Sequence, residues 1–287
     1  MTKRLAPDLQ RLLDEDKPVI LVAVAEARGS TPREAGVGMM VTADEIFGTV
    51  GGGRLEWEAM QRARAMIESG ERASELDLPL GPAVGQCCGG HVLLHLTRAD
   101  RDALEALTAA EAAAAEAAPR VLLFGAGHVG QALVRALSLL PLRIDWNDGR
   151  PDPFPAGLDD RVATSDEAPT EVLRRAPGDA AVLIMTHSHA LDYAITEAAL
   201  GRTDLAYVGL IGSQTKRRRF ERWFAARGGD PRALDRLVCP IGAGLVADKR
   251  PEVIAALVVT EVLERFAAKG LIASKAEEKT GTREQAG

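Results

Sequence analysis

Three stretches of this 287-residue chain combine residue types and spacings suited to chemistry. The first is "VGQCCGGHV" (84–92), where Cys87 and Cys88 stand between Gly85 and Gly89–Gly90. Adjacent cysteines seldom bridge one another because the ring they close is strained. A thiol on a glycine turn can instead be ionised by the exposed N–H groups and act as a soft ligand or nucleophile. Two other readings stay open. The pair can be small core residues before a strand, or half of a zinc site with His91, although no second C-x-x-C accompanies it.

The second stretch is "LLFGAGHVG". Gly125, Gly127 and Gly130 follow an apolar run and open a helix, the G-x-G-x-x-G spacing in the context it needs. Glycines there allow a tight turn and close approach of a phosphate to a helix start that carries partial positive charge. Asp148 follows 18 residues after Gly130, where an acid binds a ribose hydroxyl.

The third is "THSHALD", which sets His187 and His189 at the end of a strand with Asp192 just beyond. They can contact a ligand, hold a metal, or serve a helix cap. "GSQTKRRRF" adds Ser213 and Lys216 at another strand-to-helix junction. Helical spacing sends Lys216, Arg217, Arg218 and Arg219 in different directions, so they cannot all reach one anion. In the first hundred residues, Ser30 and Thr31 before Pro32 make a capped turn. Gly51–Gly53, with Gly52 at its centre, precedes a helix and offers a second anion site. Glu56 falls on that helix's first turn, where an acid complements the dipole.

The elements that must position these residues read as two domains. Apolar residues make up 46% and charged residues 26%, a soluble globular profile. The net charge of −6 argues against general nucleic-acid binding. Three cysteines and no apolar leader point to the cytoplasm, and the longest apolar runs fall short of a membrane span. Residues 1–106 read as an N-terminal α/β domain with strands at 19–27, 37–41 and 91–96 and a helix at 54–69. The alanine-rich segment 107–119 reads as a helical linker, since it has few large apolar residues to pack. From 120 to 268 apolar runs alternate with helices, which means a C-terminal Rossmann-like domain with a parallel sheet. The polar stretch 269–287 reads as a flexible tail.

With these motifs in this order, the chain resembles the XdhC/CoxI family of molybdenum-cofactor chaperones over about residues 18–266. The resemblance is carried by "RGSTPREAG", "GTVGGGRLEWEA" and "GQCCGG", then by "LFGAGHVGQAL", "WNDGR", "MTHSHALDY", "YVGLIGSQTKRRRF" and "CPIGAGLVADKRPEVIAALVVTE". It implies a protein that binds the molybdenum cofactor (molybdopterin) as cargo, protects it during sulfuration by an L-cysteine desulfurase, and delivers it to the xanthine dehydrogenase apoenzyme. Molybdenum-cofactor biosynthesis proteins and a second copy of the chain are further implied partners. It also draws His128 and Arg150, which lie in the matching stretches, and Ser30, Thr31, Gly52 and Glu56 toward the cofactor. Two other classes remain beside it: an NAD(P)-dependent oxidoreductase and a regulatory nucleotide-binding module.

Overall fold

Residues 4–29, 36–80, 90–243, 246 and 248–272 are described by the structure, a computed structural model. Chain contacts divide it into two compact units, Met1–Glu116 and Ala117–Gly287.

The N-terminal unit runs α1 (Ala6–Asp14), β1 (Ile20–Gly29), β2 (Gly36–Val41), β3 (Ile46–Gly48), α2 (Gly53–Ser69), β4 (Ala73–Leu80), β5 (Gly90–Arg98) and α3 (Arg101–Ala117). Its five strands form an antiparallel sheet in the order β3-β2-β1-β5-β4. Alternation along β1 explains the two layers. Ile20, Val22 and Val24 pack with Leu55, Ala59, Ala63 and Met66, one stripe of α2. Leu21 faces the other way, onto Leu9 and Leu12 of α1 and Leu104 and Leu107 of α3. The alanine-rich segment continues α3, as expected of the best helix former. Glu111 within it accepts the Leu5 and Ala6 N–H groups at the start of α1, at 2.6 and 3.2 Å.

The C-terminal unit alternates strand and helix. It contains β6 (Arg120–Phe124), α4 (His128–Leu137), β7 (Arg143–Asn147), β8 (Val162–Ser165), α5 (Pro169–Arg175) and β9 (Ala181–Ile184). It continues with α6 (His189–Gly201), β10 (Tyr207–Leu210), α7 (Gln214–Ala226), β11 (Leu237–Val238) and α8 (Pro251–Ala268). The six strands are all parallel, in the order β8-β7-β6-β9-β10-β11. The inner strands β6, β9 and β10 are almost wholly apolar because both their faces are covered. Val121 and Leu123 of β6 join α4 and α8 in one core. Leu122 and Phe124 join α5, α6 and α7 in the other. The expected Rossmann-like parallel sheet is present, and the order is that of doubly wound nucleotide-binding sheets. Its direction of winding reverses between β6 and β9, which opens a crevice at their carboxyl ends. Among the described residues no helix is long and apolar enough to cross a membrane.

Candidate functional site

The crevice contains a cavity of about 250 Å³. Gly125 lines it from the end of β6, Asn147 and Asp148 from β7, Asp166 and Glu167 from beyond β8, and Thr186 and His187 from beyond β9. Of the residues singled out in the sequence, Gly125, Asp148 and His187 therefore share one cavity. Arg150 is bonded directly to Asp148.

The glycine turn divides by cause. Gly125 has φ +117°, and a Cβ there would lie 2.3 Å from the Met185 carbonyl oxygen. A Cβ on Gly130 would lie 2.2 Å from the Gly125 carbonyl oxygen. Chain packing thus demands both glycines. The turn is held further by the buried indole of Trp146, whose Nε1 donates to the Gly125 carbonyl at 3.0 Å. Gly127 differs. It precedes α4 with φ −74°, which any residue adopts, and a Cβ there would meet nothing within 4 Å. Among the described residues nothing requires a glycine at 127, while the open ground before it leaves N–H groups at a helix start accessible. His128, the first residue of α4, is exposed beside it.

Asp148 is buried, with its side chain 3% exposed. Burial alone would raise its pKa, but hydrogen bonds from the Arg150 side chain and from the Ala126 and Arg150 N–H groups outweigh it and hold the carboxyl at about 2. A carboxyl titrating lower in the folded chain than when unfolded contributes stability that is full above pH ~4 and lost as pH falls toward 2. The depression corresponds to at most about 2.5 kcal/mol. The Asp148→Asn variant is expected to be less stable than wild type by about this amount at neutral pH, with the gap closing between pH ~4 and 2. Urea unfolding across that range checks it.

The histidines behave differently from one another. Both are exposed, but His187 lines the cavity, whereas His189 begins α6. Ser188 between them caps α6 by accepting the Leu191 N–H. Asp192 is not free to join them as a metal ligand. It is 1% exposed, accepts the N–H and hydroxyl of Thr186, and pairs with Lys216 Nζ at 2.5 Å. Among the described residues no group of three His, Cys, Asp or Glu side chains is arranged to hold a metal.

Ser213 caps α7 through the Lys216 N–H, and Lys216 Nζ also donates to the Ile211 carbonyl at 2.8 Å. The basic run splits as helical spacing dictates. Arg217 turns inward onto the Leu237 and Leu234 carbonyls, and Arg218 and Arg219 are exposed.

In the N-terminal unit, Glu56 accepts the Gly52 N–H at 3.2 Å and the Thr49 hydroxyl, so it closes the turn at the start of α2. Cys87, Cys88, Ser30 and Thr31 lie outside the described residues. Cys239 is buried in the sheet core, where burial pushes its thiol up to about 11 and leaves it protonated.

The crevice also uses residues that the motifs did not single out. Asn147, buried at the end of β7, donates to the Ser165 and Glu167 carbonyls and ties the β7 and β8 loops together. Thr186 links the cavity wall to Asp192. Both sit inside stretches already noted, "WNDGR" and "MTHSHALDY", but neither has a residue type that announces a role.

The family profile described as the XdhC Rossmann domain matches residues 121–262, and that of the XdhC and CoxI family matches residues 12–77. This chain belongs to the XdhC and CoxI family. The crevice, with its glycine turn and the Asp148–Arg150 pair, falls within the XdhC Rossmann domain. YqeB of Escherichia coli (strain K12) is 29% identical over 270 residues, which are 88% of this chain and 44% of that protein. The chain thus spans less than half the length of that relative. A crystal structure from Bacillus halodurans described as a xanthine dehydrogenase matches with a TM-score of 0.72. The match covers 94% of this chain and 98% of that one at 19% identity, a likeness of fold.

Proposed function

We propose that this XdhC-family protein is an accessory factor in xanthine dehydrogenase maturation, carrying the molybdenum cofactor as cargo rather than turning over a metabolite. The observation that carries the reading is the open ground before Gly127 at the switch point of the sheet. A phosphate tail fits a helix start with free N–H groups and no side chain in front of it. The pterin would extend into the adjoining cavity, toward Thr186 and His187. Cys87 or Cys88 would meet the metal end during sulfuration by an L-cysteine desulfurase, a soft ligand for a centre awaiting sulfur. Delivery to the apoenzyme, and a homodimer that shields the cargo, complete the proposal.

A doubly wound sheet with this glycine turn also suits an NAD(P)-dependent oxidoreductase, so the test compares the two ligands. The purified protein is titrated with molybdenum cofactor released from a donor enzyme and, separately, with NAD and NADP. The expected result is retention of the cofactor and increased activation of apo-xanthine dehydrogenase when the loaded protein is supplied. Nucleotide binding tighter than cofactor binding, with hydride exchange, would reverse the assignment.

A further inference from the structure

In doubly wound dinucleotide-binding sheets, an acid at the end of the second strand accepts hydrogen bonds from a ribose diol. Asp148 directly follows β7, the second strand of this sheet, and lines the cavity. A carboxylate offers about four lone-pair sites. Here four donors meet them. Oδ2 accepts the Ala126 N–H at 2.7 Å and Arg150 Nη2 at 2.7 Å. Oδ1 accepts the Arg150 N–H at 3.0 Å and Arg150 Nε at 2.9 Å. No acceptor capacity is left for a sugar unless Arg150 moves away.

The same contacts fix the guanidinium. Nη2 and the Ala126 N–H share one oxygen, so the arginine head stands beside the Ala126–Gly127 turn. Two of its five N–H groups face Asp148, and the other three are turned away from it. The Arg150 side chain is 41% exposed, and so reachable by a ligand. The remaining acids of the cavity do not restore a ribose site on the β7 loop. Glu167 is paired with Arg175 at 2.6 Å, and Asp166 lies beyond β8.

We infer that Arg150 sets the specificity of this crevice: by saturating Asp148 it withholds the ribose acceptor and presents a fixed guanidinium to a phosphate monoester. The inference rests on reading the crevice as the phosphate site of the proposed function, and it narrows the ligand class. A phosphate monoester is favoured, and NAD, which offers a free ribose diol, is disfavoured by the loss of its diol contact. Asp148 acts as a positioning residue, since it orients the arginine rather than touching the ligand.

The test uses the full chain, a fluorescent pterin phosphate monoester, its dephosphorylated form, and NAD. Wild type is expected to bind the phosphorylated pterin at least about tenfold tighter than the dephosphorylated one, the scale of a charge-assisted contact. Arg150→Met should abolish that preference and, by freeing Asp148, strengthen NAD binding. Adding Asp148→Asn to Arg150→Met should remove the gain in NAD binding. Should the Met variant fail to fold, Arg150→Lys keeps the charge without the planar fork and should still lose most of the preference. An unchanged preference in whichever variant folds, with wild-type NAD affinity, overturns the role of Arg150 alone. Binding of neither pterin by wild type overturns the phosphate reading of the crevice, and the inference with it.

Discussion

Asp192→Ala is expected to destabilise the C-terminal unit by about 3–5 kcal/mol, the cost of removing one partner of a buried ion pair. Asp192 and Lys216 are 1% and 11% exposed, and their contact at 2.5 Å joins α6 to α7. The carboxylate also accepts the Thr186 N–H at 2.9 Å and its hydroxyl at 2.8 Å, while Lys216 donates to the Ile211 carbonyl. The ends of β9 and β10 and the starts of both helices are therefore tied through one carboxylate. Without it the ammonium keeps a single carbonyl partner, and the Thr186 N–H loses its acceptor. Most of the penalty comes from the charge left behind. Lys216→Met added to Asp192→Ala is thus expected to cost less than the two single changes together, by on the order of 2 kcal/mol. Denaturant unfolding of the four proteins in the cycle measures that coupling. Strict additivity, or a wild-type midpoint for Asp192→Ala, would show that the pair contributes nothing. Since Thr186 lines the cavity, ligand affinity in Asp192→Ala should fall even at temperatures where the variant stays folded.

How legible each part was from residues alone follows from the range of the interaction involved. The C-terminal sheet was readable because strands buried on both faces show as unbroken apolar runs such as "RVLLF" and "AAVLIM". The glycine turn was readable because its constraints are local: a turn, a close carbonyl, a helix start. β4 was harder to read. In "ASELDLPL" the charges of Glu75 and Asp77 point outward and alternate with the half-buried Leu76 and Leu78, so no apolar run marks it. β8 is hard to read for a related reason, being a short edge strand, "VATS", with two exposed residues.

At the site, Asp148, 18 residues after Gly130, lines the crevice. The chemistry of that carboxylate depends on Arg150 folding back across two residues, a conformation that spacing does not specify. The Asp192–Lys216 pair is 24 residues apart in sequence and is formed only when β9 and β10 lie side by side. Lys216 looked like one cation of a surface run. Arg218 and Arg219 on the same helix are exposed, and only the tertiary fold turns Lys216 and Arg217 inward.

The three glycines of the turn should separate folding from binding more sharply than any other set of substitutions. Gly125→Ala places a Cβ against the Met185 carbonyl at a φ of +117°, which side-chain-bearing residues rarely adopt. Strain and overlap together are expected to cost roughly 3 kcal/mol or more, because the obstacle is backbone and has no rotamer to change. Gly130→Ala meets the Gly125 carbonyl in the same way and should cost about as much. Gly127→Val introduces a larger side chain than either, yet its φ of −74° and empty surroundings leave the fold little to object to. Its stability should stay within about 1 kcal/mol of wild type, the scale of a changed residue at a helix cap. What the branched side chain occupies is the ground a phosphate must cross to reach the N–H groups of α4. Binding of the molybdenum cofactor is therefore expected to fall at least about tenfold in the least destabilised variant of the three. Thermal melts beside equilibrium cofactor retention give both quantities from one preparation. A Gly127→Val protein that melts like wild type and still retains the cofactor would mean that the phosphate is held elsewhere, since no other consequence of that substitution could hide the loss of this contact.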